Sequence, residues 1–250
     1  MTILQKSRFL RALAAEWRKL WTLSLVWWTI CSTLAANIVL TLAFANNAAR
    51  EKVITLNILD VGLSPVSYIQ AGFMILGILA ICSEYNSGQI RATLAAMPWR
   101  RIQLFAKLLA LLLLLIPFAF IIPGMGVLIV KLFYSSAVIK ASSWAIIKKL
   151  LTVTAYLTLT ALLTAGISIL VRRTTSSLVG ILTYYFIFGP ILRKYIELAK
   201  YLPDAAGLAM WGSHHSGNMI LTPALGSLSL IIWVIAILFV AVIKYQHYDA

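Results

Sequence analysis

Charge is scarce in this chain. Only 11% of its 250 residues are Asp, Glu, Lys or Arg, and 62% are hydrophobic; a water-soluble domain carries roughly 25% charged residues. So little polar surface cannot cover a globule of this size. A soluble domain is excluded, and lipid is the main solvent. Acid is scarcer than base, with 7 acidic against 21 basic residues and a net charge of +14. No basic soluble domain exists to hold nucleic acid, and Lys and Arg flanking membrane spans account for the excess. Cysteine is limited to Cys31 and Cys82, both in or beside apolar segments. Two thiols at that separation match no zinc or redox spacing, so they read as inert buried residues. No Gly-x-x-x-x-Gly-Lys-Ser/Thr loop occurs, so the chain is not an ATP-hydrolysing enzyme on its own.

What is present is a set of long charge-free stretches: residues 23–45, 61–83, 108–130, 150–171, 174–192 and 205–243. A span needs about 20 apolar residues, and a charge at the bilayer centre costs roughly 2.5–3.5 kcal/mol on insertion scales. Backbone polar groups in lipid must be satisfied locally, so these stretches read as helices. Pro203, Gly207, Gly212, Gly217 and Pro223 interrupt the last one, which places the sixth helix at 225–243. The first run ends Ala43-Phe44-Ala45, but a cleaved signal has an apolar core of about 7–15 residues; this run is longer and reads as a retained span. The fold expected is all-α, a single transmembrane domain over 1–250 with six spans.

With the N-terminus in the cytoplasm, the inner segments hold 12 basic residues and the outer ones 9. Five of the twelve precede the first span, the region that usually dominates orientation. Both termini are therefore expected in the cytoplasm.

Residues 1–21 read as an amphipathic helix. Phe9, Leu10, Leu13, Trp17, Leu20 and Trp21 share one side of a helical wheel, and Arg8, Arg11, Arg18 and Lys19 share the other. That pattern suits a helix lying in the headgroup plane, cations toward anionic lipid. Lys6 falls on the apolar side and would snorkel. The helix is an anchor, or a strut that also meets a cytoplasmic partner.

Between the second and third spans, Ser87 can cap a helix beginning near Gly88. Ile90, Leu94 and Met97 are spaced i, i+4, i+7, while Ala92, Ala95 and Ala96 keep the rest slim. Pro98 ends it. A helix of about two and a half turns is unstable alone, and its ridge suits a groove on another protein.

Here the residues resemble a known family. "EYNSGQIRATLAAMPWRRIQLFAKLL" (84–109) is similar to the signature of type-2 ABC exporter permeases, with an acidic residue, a small-Gly turn, Thr-Leu, Pro, a basic pair and a Lys entering the third span. "AEWRKLWTLSLVWW" resembles that family's approach to its first span, and "YLPDAAGLAM" its segment between the last two spans. Gln89 stands where many members carry Thr. The resemblance implies that 88–97 is a cytoplasmic coupling helix docking on a separate ATPase subunit. The contact would be Glu84, Gly88, Ile90, Arg91, Leu94 and Met97, with Arg91, Arg100 and Arg101 facing the ATPase or the lipid headgroups. It implies two ATPase subunits per complex, ATP and Mg²⁺ held by them and no cofactor by this chain. It further implies pairing as a homodimer or with a related permease, residence in a bacterial plasma membrane, and short outer helices dipping back between spans five and six. A plainer reading makes Glu84 an interfacial carboxylate near Arg91 or Arg101, and Arg100–Arg101 a topology signal.

Pro117, Pro123 and Gly124 in the third span give an ordinary packed bend or a hinge opening a lateral path. Thr154, Thr158, Ala161, Ala165 and Ser168 form a small-residue stripe on the fourth span, and Thr29, Ser32 and Ala36 a shorter one on the first. Either suits helix packing, a dimer partner or a conduit. His214–His215 point apart and have no third ligand, so no metal is expected. Lys140, Lys148 and Lys149 contact headgroups, or an anionic lipid or peptide substrate. The absence of Asp, Glu or Arg within the assigned spans argues against a proton- or sodium-coupled carrier and against an intramembrane enzyme. The function expected is the membrane subunit of an exporter of drugs, antimicrobial peptides or lipid-like molecules. The alternative is a non-transporting immunity or sensor protein that binds a toxin or peptide without an ATPase.

Overall fold

The fold is described by a computed structural model over residues 3–50, 57–86, 99–134, 142–212 and 221–246. Among the described residues it is helical throughout, joined by short turns and without a β-strand. Six stretches are long and apolar enough to cross a membrane: Ser24–Arg50, Ile58–Tyr85, Arg101–Phe133, Ser143–Val171, Thr174–Tyr195 and Pro223–Tyr245. The expected six-span, all-α architecture is present, with spans that outrun the charge-free stretches.

The helices are α1 (Ile3–Thr22), α2 (Ser24–Arg50), α3 (Ile58–Leu63), α4 (Val66–Asn86), α5 (Arg100–Phe133), α6 (Ser143–Val171), α7 (Thr174–Thr183), α8 (Gly189–Tyr195), α9 (Pro203–Trp211) and α10 (Pro223–Gln246). The most deeply buried span is α6, which packs on α4, α5, α9 and α10. Small residues permit this closeness. A Cβ on Gly77 of α4 would overlap the Ala161 carbonyl and the Thr164 hydroxyl of α6. The small-residue stripe on α6 is buried from Thr154 to Ser168, so it serves helix packing here. The α2 trio lies the other way, with Ser32 and Ala36 exposed.

Pro117 and Pro123 lie inside one continuous helix, α5. Pro123 has no N–H for the carbonyl of Ala119, and the Thr154 hydroxyl, which donates to the Leu150 carbonyl of its own helix at 2.8 Å, lies 3.3 Å from the Ala119 oxygen. One turn away Asn37 Nδ2 of α2 donates to the Ile122 carbonyl at 2.7 Å. Polar groups of α6 and α2 thus meet the carbonyls around Pro123, and a Cβ built on Gly124 would touch Leu150 of α6.

Spans five and six hold what the sequence did not announce. Pro190 has no N–H to offer Phe186, so the helical ladder widens. Residues Tyr184–Phe188 form a π turn in which Gly189 N–H reaches the Tyr184 carbonyl. Beyond α8 a 3₁₀ turn, Glu197–Tyr201, leads into α9, which folds back against α6 and α10. Most of α9 is buried, including Asp204.

That burial corrects the expectation of a bundle without acid or Arg. Asp204 is 2% exposed, and Arg193 lies within the fifth candidate span. The charge-free stretch starting at 205 began one residue too late. The two charges are paired, Arg193 Nε lying 3.5 Å from Asp204 Oδ2.

Candidate functional site

Helix α1 lies along α5. Its contact line is Ala12, Glu16 and Leu20, spaced by four and all buried. Phe9, Leu13 and Trp17 flank that line, while Leu10 and Trp21 are exposed, so the buried face is rotated from the one the apolar residues alone suggested. Arg11 and Arg18 stay on the exposed side as expected. A chain of rings fixes the α1–α2 corner: Trp17 to Trp21 at 5.7 Å, Trp21 to Trp27 at 4.8 Å, and Trp27 to Phe118 of α5 at 6.1 Å. Trp27 Nε1 donates to the Trp21 carbonyl at 2.9 Å.

The rotation carries Glu16 inward to meet three other charges. Lys19 Nζ lies 2.8 Å from Glu16 Oε1 and 2.8 Å from Glu84 Oε1. Lys107 Nζ lies 2.6 Å from Glu84 Oε2 and 3.9 Å from Glu16 Oε2. Two carboxylates and two ammonium groups thus close a neutral ring among α1, the last turn of α4 and the second turn of α5. Glu16, Glu84 and Lys107 are 2%, 4% and 8% exposed. The ring borders a cavity of about 350 Å³ with Leu20 and Ala80. One turn before Lys107, Gln103 Oε1 accepts from the Tyr245 hydroxyl of α10 at 3.4 Å, so a fourth helix joins the polar layer.

Burial alone would lower the Lys19 pKa, but hydrogen bonds and charge attraction from Glu16 and Glu84 outweigh it and hold the ammonium above its ordinary 10.5. The ring has no free nucleophile and no open metal position, and among the described residues no group of three His, Cys, Asp or Glu could hold a metal. Its chemistry is mechanical. Removing one member leaves an uncompensated buried charge, so the three elements are held as one body.

A second polar node sits at the fold-back. The Tyr184 hydroxyl donates to Asp204 Oδ1 at 3.0 Å, and Arg193 Nε lies 3.5 Å from Oδ2. Gly189 leaves room for this carboxylate, since a Cβ there would overlap Asp204 Oδ2. Beside it, the Tyr156 hydroxyl donates to Gln70 Oε1, and the Tyr156 ring faces Trp211 at 6.0 Å.

Of the residues singled out in the sequence, Glu84 and Lys19 come together. Glu84 is buried and bonds to Lys19 and Lys107. Arg101 is exposed near the start of α5. Gly88, Ile90, Arg91, Leu94, Met97 and the histidine pair lie outside the described residues, while Arg8 and Arg100 are described in backbone only. Glu16, Lys107 and Asp204 were missed. The signal for Glu16 was its solitude, for it is the one acid in residues 1–50 and stands three before Lys19. No protein-family model matches the chain, and none of the curated proteins compared with it does.

Proposed function

We propose that this chain is the membrane subunit of an ATP-driven exporter of the type-2 ABC kind, resident in a bacterial plasma membrane with both termini in the cytoplasm. Residues 88–97 dock on a separate ATPase that carries ATP and Mg²⁺. Two permease chains, identical or related, work with two such ATPases. The observation that carries this reading is the position of the charged ring. Glu84 lies three residues before the 87–98 connection and Lys107 nine after it, and both are clamped to α1.

This connection has its two roots fixed to each other and to an interfacial strut. A push on it moves α4, α5 and α1 together. Alternate closure and opening of paired ATPases would then rock this unit against α6 and shift the bundle between inward- and outward-open states. The cargo is an amphiphile: a drug, an antimicrobial peptide or a lipid-like molecule.

The test places a photo-crosslinking amino acid at Met97 in living cells and identifies what it captures. The expected product is a protein with a Gly-x-x-x-x-Gly-Lys-Ser/Thr nucleotide loop, lost in Leu94→Glu together with ATP hydrolysis by the purified complex. If no ATPase is captured and Leu94→Glu retains the cell's resistance phenotype, the exporter reading fails and the immunity or sensor reading takes its place.

A further inference from the structure

An apolar crevice of about 360 Å³ opens between α6, α7, α9 and α10. Ile167 and Val171 of α6, Ile181 of α7, Tyr184 of the π turn, and Trp233 and Ile237 of α10 form its walls. Trp233 Nε1 is occupied by the Tyr201 carbonyl at 2.9 Å, so its indole presents only ring surface. The crevice has a depth and a direction. Ser176 and Tyr184 both line it, and eight residues of helix make about 12 Å. One leaflet of hydrocarbon is about 15 Å deep, half of a core of about 30 Å. The crevice therefore starts at the α6–α7 turn, at one end of the bundle, and stops near mid-depth, where α9 folds in beneath it.

Its mouth is basic. The turn is Arg172-Arg173, made tight by Arg172 in the left-handed region (φ 62°) with its N–H on the Ser168 carbonyl at 2.8 Å. Lys244 of α10 reaches the same rim, its Nζ 3.5 Å from the Leu170 carbonyl. Arg173 and Lys244 are exposed. None of the described acidic residues lies on α7, on α10 or in the last two turns of α6. The first-turn N–H groups of α7 add positive potential at this level.

We infer that this crevice holds one acyl chain of an anionic glycerophospholipid from the leaflet at the α1 end, with its phosphate at the Arg172–Arg173–Lys244 rim. Three features select this occupant: an apolar lining, a depth of one leaflet, and cations confined to the headgroup level. An extended peptide segment would leave backbone polar groups unmet along an apolar wall. The inference stands whether or not the chain couples to an ATPase.

Gly180 supplies the means to test it. It lines the crevice, and a Cβ placed on it meets no atom within 4 Å. A side chain there grows into the empty space, not into the protein. The experiment uses the full chain in phosphatidylcholine nanodiscs with a diazirine-acyl phosphatidylglycerol, and maps the labelled peptides. Labelling is expected at 181–184 and 233–237, competed by unlabelled phosphatidylglycerol in preference to phosphatidylcholine. Arg173→Gln and Lys244→Gln each reduce that preference roughly fivefold, the worth of one interfacial cation. Gly180→Phe abolishes the labelling at unchanged helical content. Uniform labelling of every lipid-facing surface, including Trp28 and Ile235, overturns the inference. So does labelling that survives Gly180→Phe, or a crevice left unlabelled because a second copy covers it.

Discussion

Replacing Lys107 with methionine tests whether the charged ring holds the α1–α4–α5 unit together. The Lys107 ammonium stands 2.6 Å from Glu84 Oε2 and 3.9 Å from Glu16 Oε2. At an effective dielectric near 20 those contacts amount to roughly 6 and 4 kcal/mol of gross attraction, much of it offset by dehydration of the ions. Once the cation is gone, the two buried carboxylates keep Lys19 between them. Breaking a buried pair from one side costs about 3–5 kcal/mol, and the surviving Lys19 contacts argue for the lower figure, about 3 kcal/mol. For a chain of this size that lowers the unfolding midpoint by about 6–12 °C. The paired change Glu84→Gln with Lys107→Met removes one charge of each sign and keeps the Glu16–Lys19 contact, so it is expected within about 1 kcal/mol of the parent. Circular dichroism melts in a single detergent would rank all four proteins of this double-mutant cycle. A Lys107→Met midpoint within about 2 °C of the parent, or a double variant that falls by the sum of the singles, refutes the argument.

The raised Lys19 pKa gives an alkaline signature. Its charge stabilises fully below the ordinary 10.5 and is lost as pH rises through the higher folded value; melts taken across that range fall with pH in the parent and are flatter in Lys19→Met. Gly77→Ala forces a methyl against the Ala161 carbonyl and is expected to cost about 1–3 kcal/mol. Gly180→Ala, with open space around it, is neutral or stabilising, and a melt of each checks the contrast. Thr154→Val removes the hydroxyl that stands 3.3 Å from the Ala119 carbonyl freed by Pro123 and costs about 1–3 kcal/mol; a melt unchanged from the parent would mean that this carbonyl does not depend on Thr154.

The span pattern was legible because a bilayer imposes it on composition. Twenty neutral residues leave few structures other than a helix, and each of the six neutral stretches contains or overlaps a helix long enough to cross. The candidate site was less legible, for two physical reasons. A helical wheel sorts residues by hydropathy, and Glu16 scores as exposed whichever partner awaits it. Only the positions of Glu84 and Lys107, about 70 and 90 residues further along the chain, turn it inward. Asp204 failed in the same manner, because the proline and glycine punctuation that marked 203–223 as irregular says nothing of whether the segment lies on the bundle or within it. Arg193 brings the compensating charge from α8, and Gly189 the space.

Both misses share one cause, and it bears on function. In a chain with 7 acidic residues, three are buried against cations: Glu16 against Lys19 of its own helix and Lys107 of α5, and Glu84 and Asp204 against cations from other helices. Ordinary membrane solubility asks for none of these pairs, since basic flanks suffice for topology and apolar contacts of the same volume would serve stability as well or better. What paired charges add is register: each carboxylate meets its cation only in one relative setting of two helices. The two nodes stand at opposite joints. The Glu16–Glu84 ring sits where α1 meets the roots of the 87–98 connection, and the Asp204 node where α9 folds back beside the π turn. A bundle that must move as rigid bodies, without loosening, needs its internal joints fixed in that way. If the joints serve motion, the Glu84→Gln/Lys107→Met protein is as stable as the parent and impaired in its cellular activity. Full activity in that stable double variant would reduce the ring to a packing feature.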